Sequence, residues 1–201
     1  MIMKKYEWIF IDFDGTLVDS LNSLYNVYLN FLKKFNIVGN KNEFTKLNGP
    51  TLTEIVSYFK KRYNINENES ELLKTYEHEI ELSYSQNVKP IPGREILLDF
   101  FRKNGYNVAL VTSCSQKIIL SYLNDHNWNS FFDVIIYGDL VTHSKPDPEI
   151  YNLALTKAKC DREKILVLED SENGYISAKK AGLNCIVVHN KSQQEIFSLF
   201  Q

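Results

Sequence analysis

The sequence predicts an α/β protein, a Rossmann-like parallel sheet interrupted after its first strand by an all-helical insertion. Three observations predict it. The short apolar run Trp8-Ile9-Phe10-Ile11 stops abruptly at a carboxylate, Asp12, as a strand buried on both faces of a parallel sheet should. Residues 20–85 then carry apolar positions at helical spacing and no strand signal. From residue 94 onward helices and short β-branched runs alternate regularly, which implies parallel βαβ units.

Taken in order, Asp19-Ser20 is a good helix cap, and Leu21, Leu24, Tyr25, Tyr28, Leu32 and Phe35 share one face of the helix that follows. That helix is expected to end between residues 36 and 39. A polar connection then leads through Leu47-Asn48-Gly49-Pro50 to a helix over 51–63, with Leu52, Ile55, Val56 and Phe59 inward. A third covers 69–85, with Leu72, Leu73, Tyr76, Ile80 and Tyr84 inward. Lys89-Pro90-Ile91-Pro92-Gly93 is a stiff connection suited to a domain crossing. Beyond it the pattern gives helix 94–103, strand 106–111, helix 116–124, strand 133–137, helix 148–157, strand 165–168, helix 174–181 and strand 185–188. The expected division is therefore a catalytic core over 1–18 and 88–201 and a helical cap over 19–87.

Composition excludes several function classes. With 201 residues, 44% of them hydrophobic, the chain can bury one substantial core. A net charge of −2 argues against a nucleic-acid binder that works by phosphate neutralisation. No apolar run approaches membrane-spanning length. Cys114, Cys160 and Cys185 are odd in number and lack metal-ligand spacing, so a reduced, cytoplasmic protein is expected. Residues 1–7 lead straight into the first strand and offer no secretory segment. The sequence sets no oligomeric state.

Parallel strands present their carboxyl ends to one edge of the sheet, where ligands bind in open α/β folds. The residues that follow each apolar run should therefore meet. They are Asp12 and Asp14, then Thr112 and Ser113, then Glu169 and Asp170, with Lys145 on the proline-stiffened loop His143-Ser144-Lys145-Pro146-Asp147-Pro148. Four acids at one edge repel unless a divalent cation sits among them, and oxygen ligands suit Mg2+. Gly15 follows the second acid directly, which excludes an EF-hand calcium loop, and no Walker or dinucleotide glycine pattern occurs.

This set supplies what phosphoryl transfer needs. Asp12 is assigned as nucleophile and metal ligand, and Asp14 as general acid and base with its backbone carbonyl free to bind metal. Thr112, helped by the amide of Ser113, would bind phosphate oxygens, and Lys145 would hold phosphate and nucleophile together. Asp170 would complete the metal shell, with Glu169 acting directly or through a water. A signalling receiver also gathers acids, a hydroxyl and a lysine, but is much shorter and lacks the Asp-x-Asp-Gly-Thr spacing.

The chain resembles the haloacid dehalogenase superfamily, in the subgroup with a helical cap after the first strand. The matching residues are Asp12-Phe13-Asp14-Gly15-Thr16-Leu17, Thr112, Lys145-Pro146-Asp147-Pro148 and Glu169-Asp170-Ser171-Glu172-Asn173-Gly174, in the family's order. The resemblance implies a Rossmann-like core, an aspartyl-phosphate intermediate, Mg2+ and a cap that closes over a small phosphate ester. True dehalogenases of the family lack the second acid, so Asp14 with Glu169-Asp170 points to phosphate chemistry. Related sugar phosphomutases carry a histidine early in the first cap helix and an arginine in the cap loop. Here residues 21–35 contain no histidine and residues 48–52 no arginine. The Gly-Pro-x-Leu segment instead resembles the cap loop of phosphoglycolate-type phosphatases, which makes Gly49 and Thr51 candidate substrate contacts. A turn that starts a helix is the plainer reading of the same segment. His78, His126 and His189 are expected at the surface or in packing, Cys114 in packing, and His143 close behind Lys145.

Overall fold

The structure, a computed structural model, describes residues 5–188 and 191–200; residues 1–4 and His189, read above, lie outside them. The elements are β1 (Trp8–Ile11), β2 (Val18–Asp19), α1 (Leu21–Lys33), α2 (Lys41–Lys46), α3 (Leu52–Tyr63) and α4 (Glu69–Gln86). They continue with β3 (Lys89–Pro90), α5 (Arg94–Lys103), β4 (Asn107–Val111), α6 (Gln116–Asp125) and β5 (Val134–Ile136). The last are α7 (Glu149–Ala158), β6 (Ile165–Glu169), α8 (Glu172–Lys180), β7 (Asn184–Val187) and α9 (Gln193–Phe197).

Five strands form one parallel sheet in the order β5-β4-β1-β6-β7, so β1 is its centre. Side chains alternate between the two faces of a strand, and both faces here are covered. Ile9 and Ile11 of β1, Val108 and Leu110 of β4, and Leu166 and Leu168 of β6 pack with Leu97, Phe101 and Ile119 of α5 and α6. The intervening Phe10, Ala109, Val111 and Val167 pack on the other face with Ile150, Tyr151 and Ala154 of α7 and Ala178 of α8. This is why the strands read as continuous apolar runs rather than as alternating ones.

Between β1 and β4 the chain forms α1 to α4, with α4 packed against both α1 and α3. Val18 and Asp19 pair antiparallel with Pro90 and Lys89, so the chain entering the helical block runs beside the chain leaving it. Two helices were not expected. In α2, which has no buried residue, Asn40 caps the first turn and Glu43 accepts hydrogen bonds from the hydroxyls of Tyr28, Tyr58 and Tyr63. Its one apolar residue, Phe44, packs on Tyr25 and Tyr28, and a single apolar position leaves no hydrophobic period to read. In α9, a capping box formed by Ser192 and Glu195 starts a single short turn that buries Ile196. The expected start of α8 at residue 174 moves to Glu172, because Ser171 caps the helix by accepting from the Gly174 N–H.

One charged residue ties the loop after β1 to the far end of the chain. Arg94, 3% exposed, donates from Nε to the Thr16 carbonyl at 2.8 Å and from Nη2 to the carbonyls of Lys191 and Val188 at 3.3 and 3.5 Å. A buried carbonyl deprived of a charged donor costs more than the bond itself was worth. Arg94→Met is expected to lower unfolding stability by about 2–3 kcal/mol, read as a lower urea midpoint with an unchanged slope.

Candidate active site

The register of the sheet builds the site. Ile11 pairs with Leu168 on one side and Leu110 on the other, so Asp12, the next residue, lies between Glu169 at the end of β6 and Val111 at the end of β4. Its N–H continues the ladder to the Leu168 carbonyl at 3.0 Å. Thr112 and Ser113 follow Val111 at the same edge. The chain then turns at Gly15, with φ of +74°, and a Cβ there would overlap the Asp170 carboxylate. Only glycine allows the backbone that approach.

Lys145 reaches into this junction from the loop before α7 and is 2% exposed. Its Nζ donates to Asp12 Oδ1 and Glu169 Oε1, each at 2.6 Å, and to the Val111 carbonyl at 3.1 Å, which uses all three of its protons. Glu169, fully buried, is fixed from both sides. Its Oε1 also accepts from the Tyr151 hydroxyl at 2.7 Å, and its Oε2 accepts from the Ser171 hydroxyl and the Asp170 N–H, both at 3.2 Å. Burial works against the Lys145 ammonium, but Asp12 and then Glu169 outweigh it and hold its pKa well above the lysine range.

The acids are short of positive charge. One carboxylate oxygen from each of Asp12, Glu169 and Asp170 lies within 4.8 Å of the others. Three carboxylates share one ammonium. Burial first, then the neighbouring Glu169, raises the Asp12 pKa well above the carboxylate range, and the same two causes push Asp170 up to about 7. A hard divalent cation on oxygen ligands would relieve this, so the donor set fits Mg2+.

Asp14 is held by a different set of partners. Its Oδ1 accepts from the Ser20 hydroxyl at 2.5 Å and from the Tyr84 hydroxyl of α4, and burial raises its pKa although both hydrogen bonds oppose it. The sequence marked Tyr84 only as an inward position of a helix. Helical spacing reports which face a ring occupies and carries no information about where its hydroxyl ends. Tyr151 escaped notice for the same reason.

Asp12, Asp14, Thr112, Ser113, Gly49 and Lys145 all line one cleft between the sheet edge and the helices. Ser113 donates to the Gly49 carbonyl at 2.5 Å, and Asn173 donates to the Asn48 carbonyl at 2.6 Å, which fastens the cap loop over the site. Asn48 in turn donates to Asp170 at 3.4 Å. Thr112 is buried, with its Oγ1 accepting from the Cys114 N–H at 3.1 Å. Thr51 is not in the cleft lining. It caps α3 in a capping box with Glu54, so the helix-starting reading describes it, with Pro50 one residue before the cap. His143 turns outward onto Glu149 at 3.0 Å, and His126 stacks on Tyr122.

With acids, a lysine and a hydroxyl pair gathered at the carboxyl edge of a parallel sheet, residues 9–188 match the family described as haloacid dehalogenase-like hydrolase. The chain belongs to that family. Its relatives include a phosphorylated carbohydrates phosphatase of Thermotoga maritima, 30% identical over 92% of this chain and 86% of the relative. They also include the pyrophosphatase PpaX of Bacillus velezensis, 27% identical over 90% and 82%. Among solved structures, CbbY of Rhodobacter sphaeroides in complex with phosphate has a TM-score of 0.78 at 25% identity, covering 90% of this chain and 85% of that one.

The closeness of α8 to the acids gives a stability test. A Cβ at Gly174 would overlap the Glu169 carboxylate, which is held by four other groups and has no room to retreat. Gly174→Ala is expected to cost about 1–3 kcal/mol, as overpacking does elsewhere, although alanine is the better helix former. Thermal unfolding of the two proteins side by side checks it.

Proposed function

We propose that this chain is a magnesium-dependent phosphatase acting on a small phosphomonoester through an aspartyl-phosphate intermediate. The observation that carries the reading is the junction of Asp12, Glu169 and Asp170 around the Lys145 ammonium, beside Thr112 and Ser113, in a chain of a hydrolase family. The phosphatase names of its relatives agree with it. The family match over nearly the whole chain favours it over a signalling receiver. We assign residues 19–87 as a cap over the core formed by 1–18 and 88–201. Three free cysteines favour a reducing, cytoplasmic setting.

Asp12 attacks phosphorus, and the bond from phosphorus to the leaving oxygen breaks. Lys145 aligns the attacking carboxylate and favours its ionised form against the burial and the Glu169 charge that raise its pKa, and meets the phosphate charge as it arrives. Thr112 and the Ser113 amide take up phosphate oxygens. Asp14, whose burial favours the protonated form, gives its proton to the leaving oxygen. In the second half Asp14 takes a proton from water, the water oxygen bonds to phosphorus, the bond from phosphorus to Asp12 breaks, and inorganic phosphate leaves. Asp12 and Asp170, with the Asp14 backbone carbonyl, would hold Mg2+, with Glu169 acting behind them or through a water. Bound there, the ion supplies charge that offsets repulsion between carboxylates and phosphate.

Release of inorganic phosphate from simple phosphomonoesters, with and without Mg2+, tests the reading. Turnover is expected with the ion and its loss with a chelator. Asp12→Asn should abolish turnover while leaving the fold intact; turnover at the wild-type rate would refute the assignment.

Tyr84→Phe removes one hydroxyl from Asp14 without altering the packing of the ring against Phe13. It is expected to lower kcat about five- to tenfold, the worth of one ordinary hydrogen bond. KM for a small ester should stay within about twofold, because the lost contact serves proton transfer rather than binding. Equal losses in kcat and binding would remove Tyr84 from that role.

A further inference from the structure

Opposite the acids, the cleft is closed by the helical block, and its wall there is apolar. Leu21 and Leu24 of α1, Phe44 of α2, Leu52 and Ile55 of α3, and Ile80 of α4 face into it. Among the described residues that line it, Lys145 is the one cation, and its three protons are already given to Asp12, Glu169 and the Val111 carbonyl. No lysine, arginine or histidine of α1 to α4 lines it. A second anionic group on a substrate would therefore be buried without a partner.

Most polar side chains of the lining already have partners, and the Tyr76 hydroxyl on α4 is an uncharged group beside them. Ser113 donates to the Gly49 carbonyl, Asn48 to Asp170, and Tyr84 to Asp14, while Ser171 donates to Glu169 and accepts from the Gly174 N–H. A leaving group rich in hydroxyls would lose its water and find few partners in exchange. An apolar leaving group loses nothing by entering.

From this wall we infer the substrate class: a phosphate monoester with a single phosphate and an uncharged, largely apolar alkyl or aryl leaving group. The inference rests on the phosphatase reading above and narrows it. It sets this chain apart from what the names of its relatives describe, since neither a carbohydrate nor a pyrophosphate leaving group matches the wall.

A homologous series of n-alkyl phosphates, ethyl to pentyl, tests it at fixed Mg2+, because leaving-group basicity is nearly constant along the series. Values of kcat/KM are expected to rise about fourfold per methylene, the burial of one CH2 converted to a ratio, until the cleft is full. Glycerol 1-phosphate, glucose 6-phosphate and 2-phosphoglycolate should fall at least about tenfold below butyl phosphate. Leu52→Arg, which puts a cation on the partly buried edge of the wall, should narrow the gap between 2-phosphoglycolate and butyl phosphate.

A flat alkyl series, or a sugar phosphate or 2-phosphoglycolate that equals butyl phosphate in the wild type, overturns the inference and leaves the phosphatase reading intact. Absence of turnover with every ester overturns the phosphatase reading and this inference with it. The wild-type panel decides even where Leu52→Arg fails to fold.

Discussion

The pairing of the Lys145 ammonium with Asp12 and Glu169 is the constraint on which the site depends. An ammonium and two carboxylates are taken almost wholly out of water, and such groups are tolerated inside a protein only where each is matched. The match needs three segments at once: the end of β1, the end of β6, and the loop before α7. A slip of one residue in either strand pairing would turn a carboxylate into the apolar layer. The long apolar interdigitation on both faces of the sheet fixes the register tightly enough for a lysine proton to find its acceptor at 2.6 Å. The same crowding explains the small residues around it. Gly15 makes room for Asp170, and Gly174 makes room for Glu169.

Much of this was legible in the sequence because it follows from topology. Parallel strands end on one edge whatever their separation along the chain, so the residues after the three central runs, β4, β1 and β6, meet there. Asp12, Thr112 and Glu169 could be placed in one neighbourhood without knowledge of any contact. The fold class follows from the same runs. What resisted reading is held by contacts without a period. The helix α2 hangs on three tyrosine hydroxyls that converge on Glu43 from α1 and α3, and five polar residues with one phenylalanine carry no trace of it. Thr51 is a case of two chemistries for one residue type. A threonine before a helix either touches a ligand or caps the helix, and the Glu three residues later, in place for a capping box, was the signal that decided between them.

Tyr84 shows why the chemistry of the site and its selectivity belong to the same piece of structure. Tyr76, Ile80 and Tyr84 are spaced four apart on α4 and so form one stripe along its inner face. Tyr76 and Ile80 belong to the wall of the cleft, and Tyr84 ends on the carboxylate of Asp14. In the proposed reaction, a leaving group that fills the space beside the first two would lie along a line that leads to Asp14, the proposed proton donor for its oxygen. Contact far from phosphorus and proton transfer at the ester oxygen are then set by the orientation of one helix, and a ligand that seats α4 well also seats Asp14. Binding energy from the remote part of the substrate is available to the reacting centre, which is the way an enzyme turns affinity into rate. In the proposed reaction the stripe on α4 would join the wall that faces the leaving group to the carboxyl group that protonates its oxygen.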